Sequence, residues 1–203
     1  MCILFQELHT FSRKRMAEKQ VCARVLIFAY VLSQCRIIKS GGIPFKTEDI
    51  RKFVATKQVI WTWTTTANRK NLICKADHMQ SFTQGHIIFQ RIYVTLPDLA
   101  KIVKNYEGLF PRKEANLMQL VKGHLMNYTH VAKEKLIYDN PDYHCAVIKV
   151  TPVQHGYLPY FDLRIWNFTV RMGPHVKCIR RFMKHGGRGH DIYQPKCQRL
   201  INA

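Results

Sequence analysis

Cysteine is the residue type with the clearest chemistry in this chain of 203 residues. Beyond residue 41 the chain carries four cysteines: Cys74, Cys145, Cys178 and Cys197. An even set of cysteines among short β-strand patterns is typical of a small secreted protein held together by disulfides. Four cysteines permit three connectivities, and sequence spacing does not choose among them.

A pair of opposite charges lies in a predicted strand between Cys145 and Cys178. Alternation along Tyr160–Val170 places three side chains on one face: Asp162, Arg164 and Trp166. If this face lines an interior, Asp162 and Arg164 either pair with each other or present their charges to a ligand. If it faces solvent, Arg164 is an ordinary surface residue. An arginine in an otherwise apolar cup suits a carboxylate ligand better than an amine.

The rest of the chain predicts the elements that hold these residues. A short helix begins near Thr47, and residues between Leu96 and Lys122 mix weak helical and strand patterns. A second helix near Val176–Lys184 precedes a short terminal strand. Runs of β-branched and aromatic residues predict strands at Val59–Thr66, Leu72–Met79, His86–Val94, Leu117–Tyr128, Thr129–Tyr138, His144–Val150 and Tyr160–Val170. Roughly eight short strands at this spacing favour a sandwich or a closed barrel in one domain, residues 41–203.

The N-terminal segment has the pattern of a signal peptide. Its apolar core, Val21–Gln34, is too short to span a membrane and follows a group of cations: Arg13, Lys14, Arg15 and Lys19. We therefore expect residues 1–40 to be a leader, starting at Met1 or Met16, and the mature protein to be secreted. A buried core helix is the alternative interpretation of this segment.

The chain is strongly basic, with 32 Lys and Arg against 13 Asp and Glu and a formal net charge of +19. Such a field attracts nucleic acids, sulfated glycans and anionic lipids, but no nucleic-acid-binding motif accompanies it. The best basic cluster is Arg180, Arg181, Lys184 and Arg188. It is either a site for sulfated glycans or host haemostatic proteins, or the solvated face of a helix whose Ile179, Phe182 and Met183 turn inwards.

Several short motifs resemble tick salivary lipocalins of the histamine-binding type. The similarity spans most of residues 47–198 and is weakest in the middle. The matching segments are Asp49–Phe53 followed by Ile60–Thr62, then Tyr160–Arg164, Gly173-Pro174, Cys178 with Phe182, and Tyr193 before Cys197. The resemblance implies a mostly β fold: an eight-stranded antiparallel lipocalin barrel with a short N-terminal helix and a C-terminal helix packed outside.

The resemblance also implies a function and a disulfide pattern. Such proteins are secreted in saliva and sequester small host mediators, histamine or another biogenic amine, to evade host defence. The implied disulfides join Cys74 to Cys197 and Cys145 to Cys178. Trp61 matches the first-strand tryptophan that closes the base of lipocalin barrels.

This chain departs from the amine-binding pattern at two places. Cys145 is followed by Ala146 where amine binders have an aspartate, and Asp162-Leu163-Arg164 replaces Glu-Leu-Trp or Glu-Leu-Tyr. The substitutions favour an anionic lipid mediator, such as a leukotriene or a fatty acid, as the alternative ligand. The candidate ligand-binding residues are Asp162, Arg164, Trp63 and Trp166.

Other motifs predict little further chemistry. Two sequons, at Asn127 and Asn167, predict surface glycans on a secreted chain. The sequence contains no HExxH, Gly-x-Ser-x-Gly, P-loop or dinucleotide-binding motif. We therefore expect a monomeric binding protein without catalytic activity, cofactor, metal, nucleic-acid partner or membrane span.

Overall fold

The computed structural model describes residues 48–124 and 127–202. The predicted leader, residues 1–40 with its apolar core Val21–Gln34, lies outside the described residues. Thr47, the predicted start of the first helix, lies outside them as well.

The described residues form nine strands in one antiparallel sheet. The strands are β1 (Ile60–Thr65), β2 (Leu72–Phe82), β3 (His86–Thr95), β4 (Ala100–Leu109), β5 (Leu117–His124), β6 (Asn127–Asn140), β7 (Cys145–Pro152), β8 (Tyr160–Trp166) and β9 (His190–Asp191). The first eight close into a barrel, because β1 pairs with β8 on one side and with β2 on the other. The predicted eight-stranded antiparallel barrel is therefore confirmed, with β9 added beside β1.

Three short helices accompany the barrel in the described residues: α1 (Ile50–Val54), α2 (Val176–Gly186) and α3 (Lys196–Asn202). Asp49 caps α1, because its Oδ1 accepts a hydrogen bond of 3.0 Å from the Arg51 amide. Gly187 follows α2 at φ 69°, a left-handed conformation that glycine adopts without strain. The predicted helices near Thr47 and Val176 are confirmed, and α3 is an element that the sequence patterns did not indicate.

Strand β4 lies in the region where the sequence patterns were mixed. Residues Ala100 to Asn105 are all exposed, so this half of the strand lacks the alternation of apolar and polar residues that marks a half-buried strand. The predicted strand Tyr160–Val170 is shorter than expected. It ends at Trp166, where the 3₁₀ turn Asn167–Thr169 begins.

Helix α1 closes one end of the barrel. The Ile50 amide donates a hydrogen bond of 3.0 Å to the Ala115 carbonyl between β4 and β5. The Trp166 indole N–H donates one of 3.1 Å to the Phe53 carbonyl, and the two rings lie 6.2 Å apart. Apolar side chains fill the interior above α1: Ile60, Ile87, Phe89, Met118, Leu136 and Ile148. This end is therefore a packed apolar base.

Both disulfides lie in a second core between the outer face of the sheet and the C-terminal helices. Cys145–Cys178 ties α2 to β7, and Cys74–Cys197 ties α3 to β2. The pairing that the resemblance implies is thus the one in the structure. Trp61, Val147, Leu163, Phe182, Tyr193 and Ile201 pack around the bridges.

The orientation of α2 corrects one expectation from the sequence. One of the two interpretations of the basic cluster turns Ile179, Phe182 and Met183 inwards, but only Phe182 is buried. The cause is the disulfide: Cys178 must face the sheet, and Phe182, four residues later, lies on the same side of the helix. Ile179 and Met183 come one residue later and therefore turn towards solvent.

The two disulfides should stabilise the fold unequally. Cys74–Cys197 closes a loop of 123 residues and Cys145–Cys178 one of 33. Because loop-closure entropy grows with the logarithm of loop length, replacing the Cys74–Cys197 pair by alanines should cost about 1 kcal/mol more than replacing the Cys145–Cys178 pair. Urea unfolding of the two double variants measures this difference. Equal losses, or a larger loss for the shorter loop, would contradict the loop-entropy explanation.

Candidate functional site

Six charged side chains cross the middle of the barrel above its apolar base. They are Lys75 and Asp77 on β2, Arg91 on β3, Glu134 on β6, and Asp162 and Arg164 on β8, and all are buried. We call this set the ion-pair layer. With every group ionised, its three cations and three carboxylates carry no net charge.

Arg164 is the hub of the ion-pair layer. Its Nη1 donates to Glu134 Oε2 at 2.7 Å, and its Nη2 donates to Asp162 Oδ2 at 2.9 Å. A longer bond of 3.4 Å reaches Asp77 Oδ2. Because all three carboxylates of the layer contact this one guanidinium, Arg164 is held in place on every side by opposite charge.

Arg91 is the second arginine of the layer and extends from it towards the open end of the barrel. Its Nε and Nη2 donate to the two Asp77 oxygens at 2.6 and 2.7 Å, a bidentate arrangement that fixes the plane of the guanidinium. Its Nη1 donates to Glu134 Oε1 at 2.7 Å. The guanidinium also lies 5.7 Å from the ring centroid of Tyr106.

Lys75 and Thr65 complete the layer around Asp162. The Lys75 ammonium donates to Asp162 Oδ2 at 2.5 Å, and the Thr65 hydroxyl donates to Oδ1 at 2.8 Å. Both oxygens of this fully buried carboxylate are therefore satisfied without a ligand.

The pKa values in the layer follow from burial opposed by close charges. Burial alone would raise the pKa of Glu134, but Arg164 and Arg91 outweigh it and hold that pKa well below its usual value. The pKa of Asp162 is lowered in the same way, mainly by Lys75 and Arg164 against the effect of burial. Burial lowers the pKa of the Lys75 ammonium to about 8, with Asp162 opposing the shift. Glu134 and Asp162 thus stay charged at neutral pH.

A cavity of about 590 Å³ lies on the other side of the layer from the apolar base. The loops after β1 and β7 supply Thr66, Ala67, Asn68, Arg69, Gln154, Gly156, Tyr157, Leu158 and Pro159, and the strands supply Arg91, Tyr93, Lys104, Tyr106, Leu120, Val131, Ala132, Val150, Pro152 and Tyr160. Three of these described lining residues are cations and none is acidic. Because Arg91 already pairs with Asp77 and Glu134, the excess positive charge of the described lining comes from Arg69 and Lys104, and the rest of the lining is partly apolar.

Several polar groups of the lining are available to a ligand. The hydroxyls of Tyr93, Tyr106 and Tyr160 make no hydrogen bond to any described residue, and burial raises the pKa of Tyr93 and Tyr160 so that both remain donors. Neither Arg69 nor Lys104 forms an ion pair with the described residues. The Lys104 ammonium instead lies 5.8 Å from the ring centroid of Tyr93.

The barrel wall beside the cavity is incompletely paired. Strand β4 pairs with β5 only at Glu107, Gly108 and Leu109, so within the described residues Ala100–Tyr106 has no partner on that side. A second cavity of about 170 Å³ lies nearby and shares three lining residues with the first: Arg69, Tyr93 and Lys104. These three residues border both spaces.

The structure places the four predicted ligand-binding residues outside the cavity lining. Asp162 and Arg164 do share the interior face, as alternation predicted, but they lie in the layer beneath the cavity and bond to each other. Trp166 belongs to the base, where it stacks on His144 at 4.5 Å. Trp63 lies on the outer side of the sheet and stacks on Tyr193 at 4.9 Å.

Trp61 is also on the outer side and is fully buried. Its indole N–H donates to Asn167 Oδ1 at 2.8 Å, and its ring meets Tyr193 edge-on at 5.2 Å. Trp61 therefore has a structural role in the outer core, while Trp166 and α1 occupy the base.

The lining cations Arg69, Arg91 and Lys104 were not singled out from the sequence. One signal existed: alternation along HIIFQRIYV places Phe89, Arg91 and Tyr93 on the same face, so a charge in an apolar run faces the interior. Arg69 in a loop and Lys104 in an exposed strand have no comparable pattern, because surface cations are common throughout this basic chain.

The two sequons lie in different surroundings. Asn127 is exposed at the start of β6. Asn167 is half-buried, and its Oδ1 accepts a second hydrogen bond of 2.8 Å from Gln198 Nε2 in addition to that from Trp61.

The predicted basic cluster is on the surface. Its members are exposed: Arg180, Arg181, Lys184 and Arg188. The Arg181 guanidinium lies 5.2 Å from the Tyr138 ring centroid. Among residues 48–124 and 127–202 there is no helix long and apolar enough to cross a membrane, and no group of three or more His, Cys, Asp or Glu side chains suited to a metal ion.

No protein-family model and no curated protein sequence matches this chain, but solved structures do. Japanin from Rhipicephalus appendiculatus bound to cholesterol aligns with a TM-score of 0.53 at 10% identity, over 70% of this chain and 96% of that one. AM182 in complex with serotonin aligns with a TM-score of 0.53 at 14% identity, over 74% and 93%. At such identities the likeness shows the fold alone, which is the lipocalin fold.

The ion-pair layer should make stability fall steeply in acid. Glu134 and Asp162 have lowered pKa values only in the folded state, so below the ordinary values of 4.5 and 3.8 the unfolded chain binds more protons and unfolding is favoured. Glu134→Gln should cost about 3–5 kcal/mol at neutral pH and flatten the loss of stability between about pH 5 and pH 3. Urea unfolding at several pH values measures both effects.

Glu114→Gln is the matched control, because Glu114 is exposed and its one ion pair with the residues that the structure describes, to Lys135, is long at 3.9 Å. This variant should keep the acid slope of the parent. If Glu134→Gln does not fold, Asp162→Asn tests the same dependence of the unfolding free energy on pH, because Asp162 is another carboxylate bonded to Arg164. A parent protein whose stability does not change with acid would contradict the charged state of the layer.

Proposed function

We propose that this lipocalin-fold barrel sequesters a small ligand that carries an anionic group and an apolar body. The observation that supports this proposal is the charge of the cavity: its described lining contains Arg69, Arg91 and Lys104 and no acidic residue. A volume of about 590 Å³ lies within the range of small-molecule sites, ~300–1,000 Å³. The function is binding rather than catalysis.

A biogenic amine, which the family resemblance implies, fits this lining less well. An ammonium group binds to a carboxylate or to an aromatic face. The described carboxylates of the middle of the barrel, Asp77, Glu134 and Asp162, already pair with the cations of the ion-pair layer. The two similar structures contain a sterol and serotonin, so one fold holds ligands of different chemistry and the lining selects among them. Here the lining favours a carboxylate such as that of a fatty acid or a leukotriene.

Each part of the cavity has a role in this binding mode. Arg69 and Lys104, which have no other ion pair among the described residues, attract and pair with the anionic group. The hydroxyls of Tyr93, Tyr106 and Tyr160 donate hydrogen bonds to it. Leu120, Val131 and Val150 contact the apolar body of the ligand.

The predicted site residues Asp162 and Arg164 act through Arg91 in this proposal. Glu134 accepts hydrogen bonds from both Arg164 and Arg91, so the position of one guanidinium depends on the other. Asp162 and Arg164 are therefore positioning residues beneath the cavity. We propose no ligand contact for Trp63 or Trp166, which pack on Tyr193 and against α1.

Calorimetric titration with arachidonate and with histamine tests the ligand class. We expect arachidonate to bind and Arg69→Ala/Lys104→Ala to weaken it at least about tenfold, because each charge-assisted hydrogen bond contributes about 1.5–3 kcal/mol. Lys113→Ala removes one cation from an exposed loop that does not line the cavity, and should leave binding unchanged. Histamine binding without arachidonate binding would refute the proposal, as would equal losses in the double variant and the control.

Secretion is the second part of the proposal, supported by two disulfides and by the signal-peptide pattern of the leader. Expression of the full chain in cultured animal cells should release the protein into the medium with one N-linked glycan. Asn127→Gln should remove that glycan, since Asn127 is exposed. Asn167→Gln should not change the mass, because a glycan there would displace the contacts of Asn167 with Trp61 and Gln198. Retention inside the cell would count against secretion.

A further inference from the structure

Five large apolar side chains are exposed along one segment of the C-terminal region. They are Phe168 at 54%, Met172 at 81%, Val176 at 49%, Ile179 at 37% and Met183 at 58% exposure. We call them the apolar strip. Exposed apolar side chains that cluster in one segment indicate an interaction site more often than single ones do.

The strip is a consequence of how α2 is attached to the barrel. The bond from Cys178 to Cys145 and the burial of Phe182 hold one side of the helix against the sheet. Val176, Ile179 and Met183 recur at intervals of three and four residues, so they share a different side of the helix. This apolar side has no partner among the described residues that would bury it.

In α2, each residue of the apolar strip is followed in the sequence by a cation. Lys177, Arg180 and Lys184 each come directly after a strip residue of α2 and are exposed. The whole segment 168–189 contains six Lys and Arg and no Asp or Glu. A stripe of apolar residues beside a stripe of cations is the pattern of a helix that lies in the interface of an anionic membrane.

We propose that α2 and the loop before it bind the surface of an anionic lipid bilayer, with the apolar strip inserted between headgroups and the adjacent cations on lipid phosphates. A sulfated glycan would use the cations but would leave the apolar side chains in water. A lipid surface uses both stripes. The proposal concerns the outside of the barrel and does not depend on the ligand proposed for the cavity.

Co-sedimentation of the full chain with vesicles tests the proposal. We expect binding to vesicles of phosphatidylcholine with about a third phosphatidylglycerol and weak binding to phosphatidylcholine alone. Ile179→Ser/Met183→Ser should weaken binding about tenfold through lost apolar insertion. Arg180→Glu/Lys184→Glu should weaken it at least about fivefold per cation. Val103→Ser and Lys113→Glu are matched controls, because both positions are exposed outside the segment.

A local measurement separates α2 from any other part of the chain that binds lipid. Peroxide oxidises exposed methionines, so the rates at Met172 and Met183 can be followed by mass spectrometry. Anionic vesicles should slow oxidation of both by at least about threefold, because inserted side chains are shielded from peroxide in water. Buried Met118 is the internal reference.

Two results would overturn the proposal. One is vesicle binding that leaves the oxidation rates of Met172 and Met183 unchanged. The other is vesicle binding that is weakened by Arg180→Glu/Lys184→Glu but not by Ile179→Ser/Met183→Ser. Together with retention on heparin, that result would identify a purely electrostatic site for polyanions instead.

Discussion

The ion-pair layer is the interaction on which the interior of this barrel depends. Three cations and three carboxylates are buried there, and a buried charge is tolerated only when opposite charges and hydrogen bonds surround it. Removing one member leaves an uncompensated charge in the core. The layer also divides the interior into an apolar base, closed by α1 and Trp166, and an open cavity. The size and charge of the cavity both follow from where the layer lies.

The layer determines the chemistry of the cavity indirectly. It occupies Asp77, Glu134 and Asp162, which are the carboxylates of the middle of the barrel, and so withdraws them from ligand binding. It also orients Arg91 towards the cavity through two carboxylates on different strands. Arg69 and Lys104, which form no ion pair with the described residues, add to Arg91 in the lining of the cavity. A side chain that is already held in place, as Arg91 is here, favours ligand binding because it loses little conformational entropy in the complex.

The outside of the barrel obeys a different constraint. Two disulfides attach the C-terminal helices to β2 and β7, and the outer core packs around them. The position of Cys178 sets the rotation of α2, which buries Phe182 and exposes Ile179 and Met183. The Cys145–Cys178 disulfide and the periodicity of the α-helix therefore explain why apolar side chains are exposed to solvent on this face. The ligand cavity and the proposed membrane surface result from independent parts of the structure.

The sequence by itself determined a fold of roughly eight short strands, a sandwich or a barrel, and showed that Asp162, Arg164 and Trp166 share one face of β8, because strand patterns and alternation are local properties. With the family resemblance it also predicted the disulfide pairing. Tertiary structure alone decided what the interior charges do. Glu134 lies 43 residues from Arg91 and 30 from Arg164, and no local pattern shows that strands β3, β6 and β8 bring these groups together. The pairing of Asp162 with Arg164 was one of two alternatives in the sequence, but only the fold shows that four further charges complete the layer around them and that Arg69, Arg91 and Lys104 line the cavity. The reason is physical: alternation tells which face a side chain is on, whereas the depth of a group in a barrel, and so its neighbours, depends on the register of strands that are far apart in the chain.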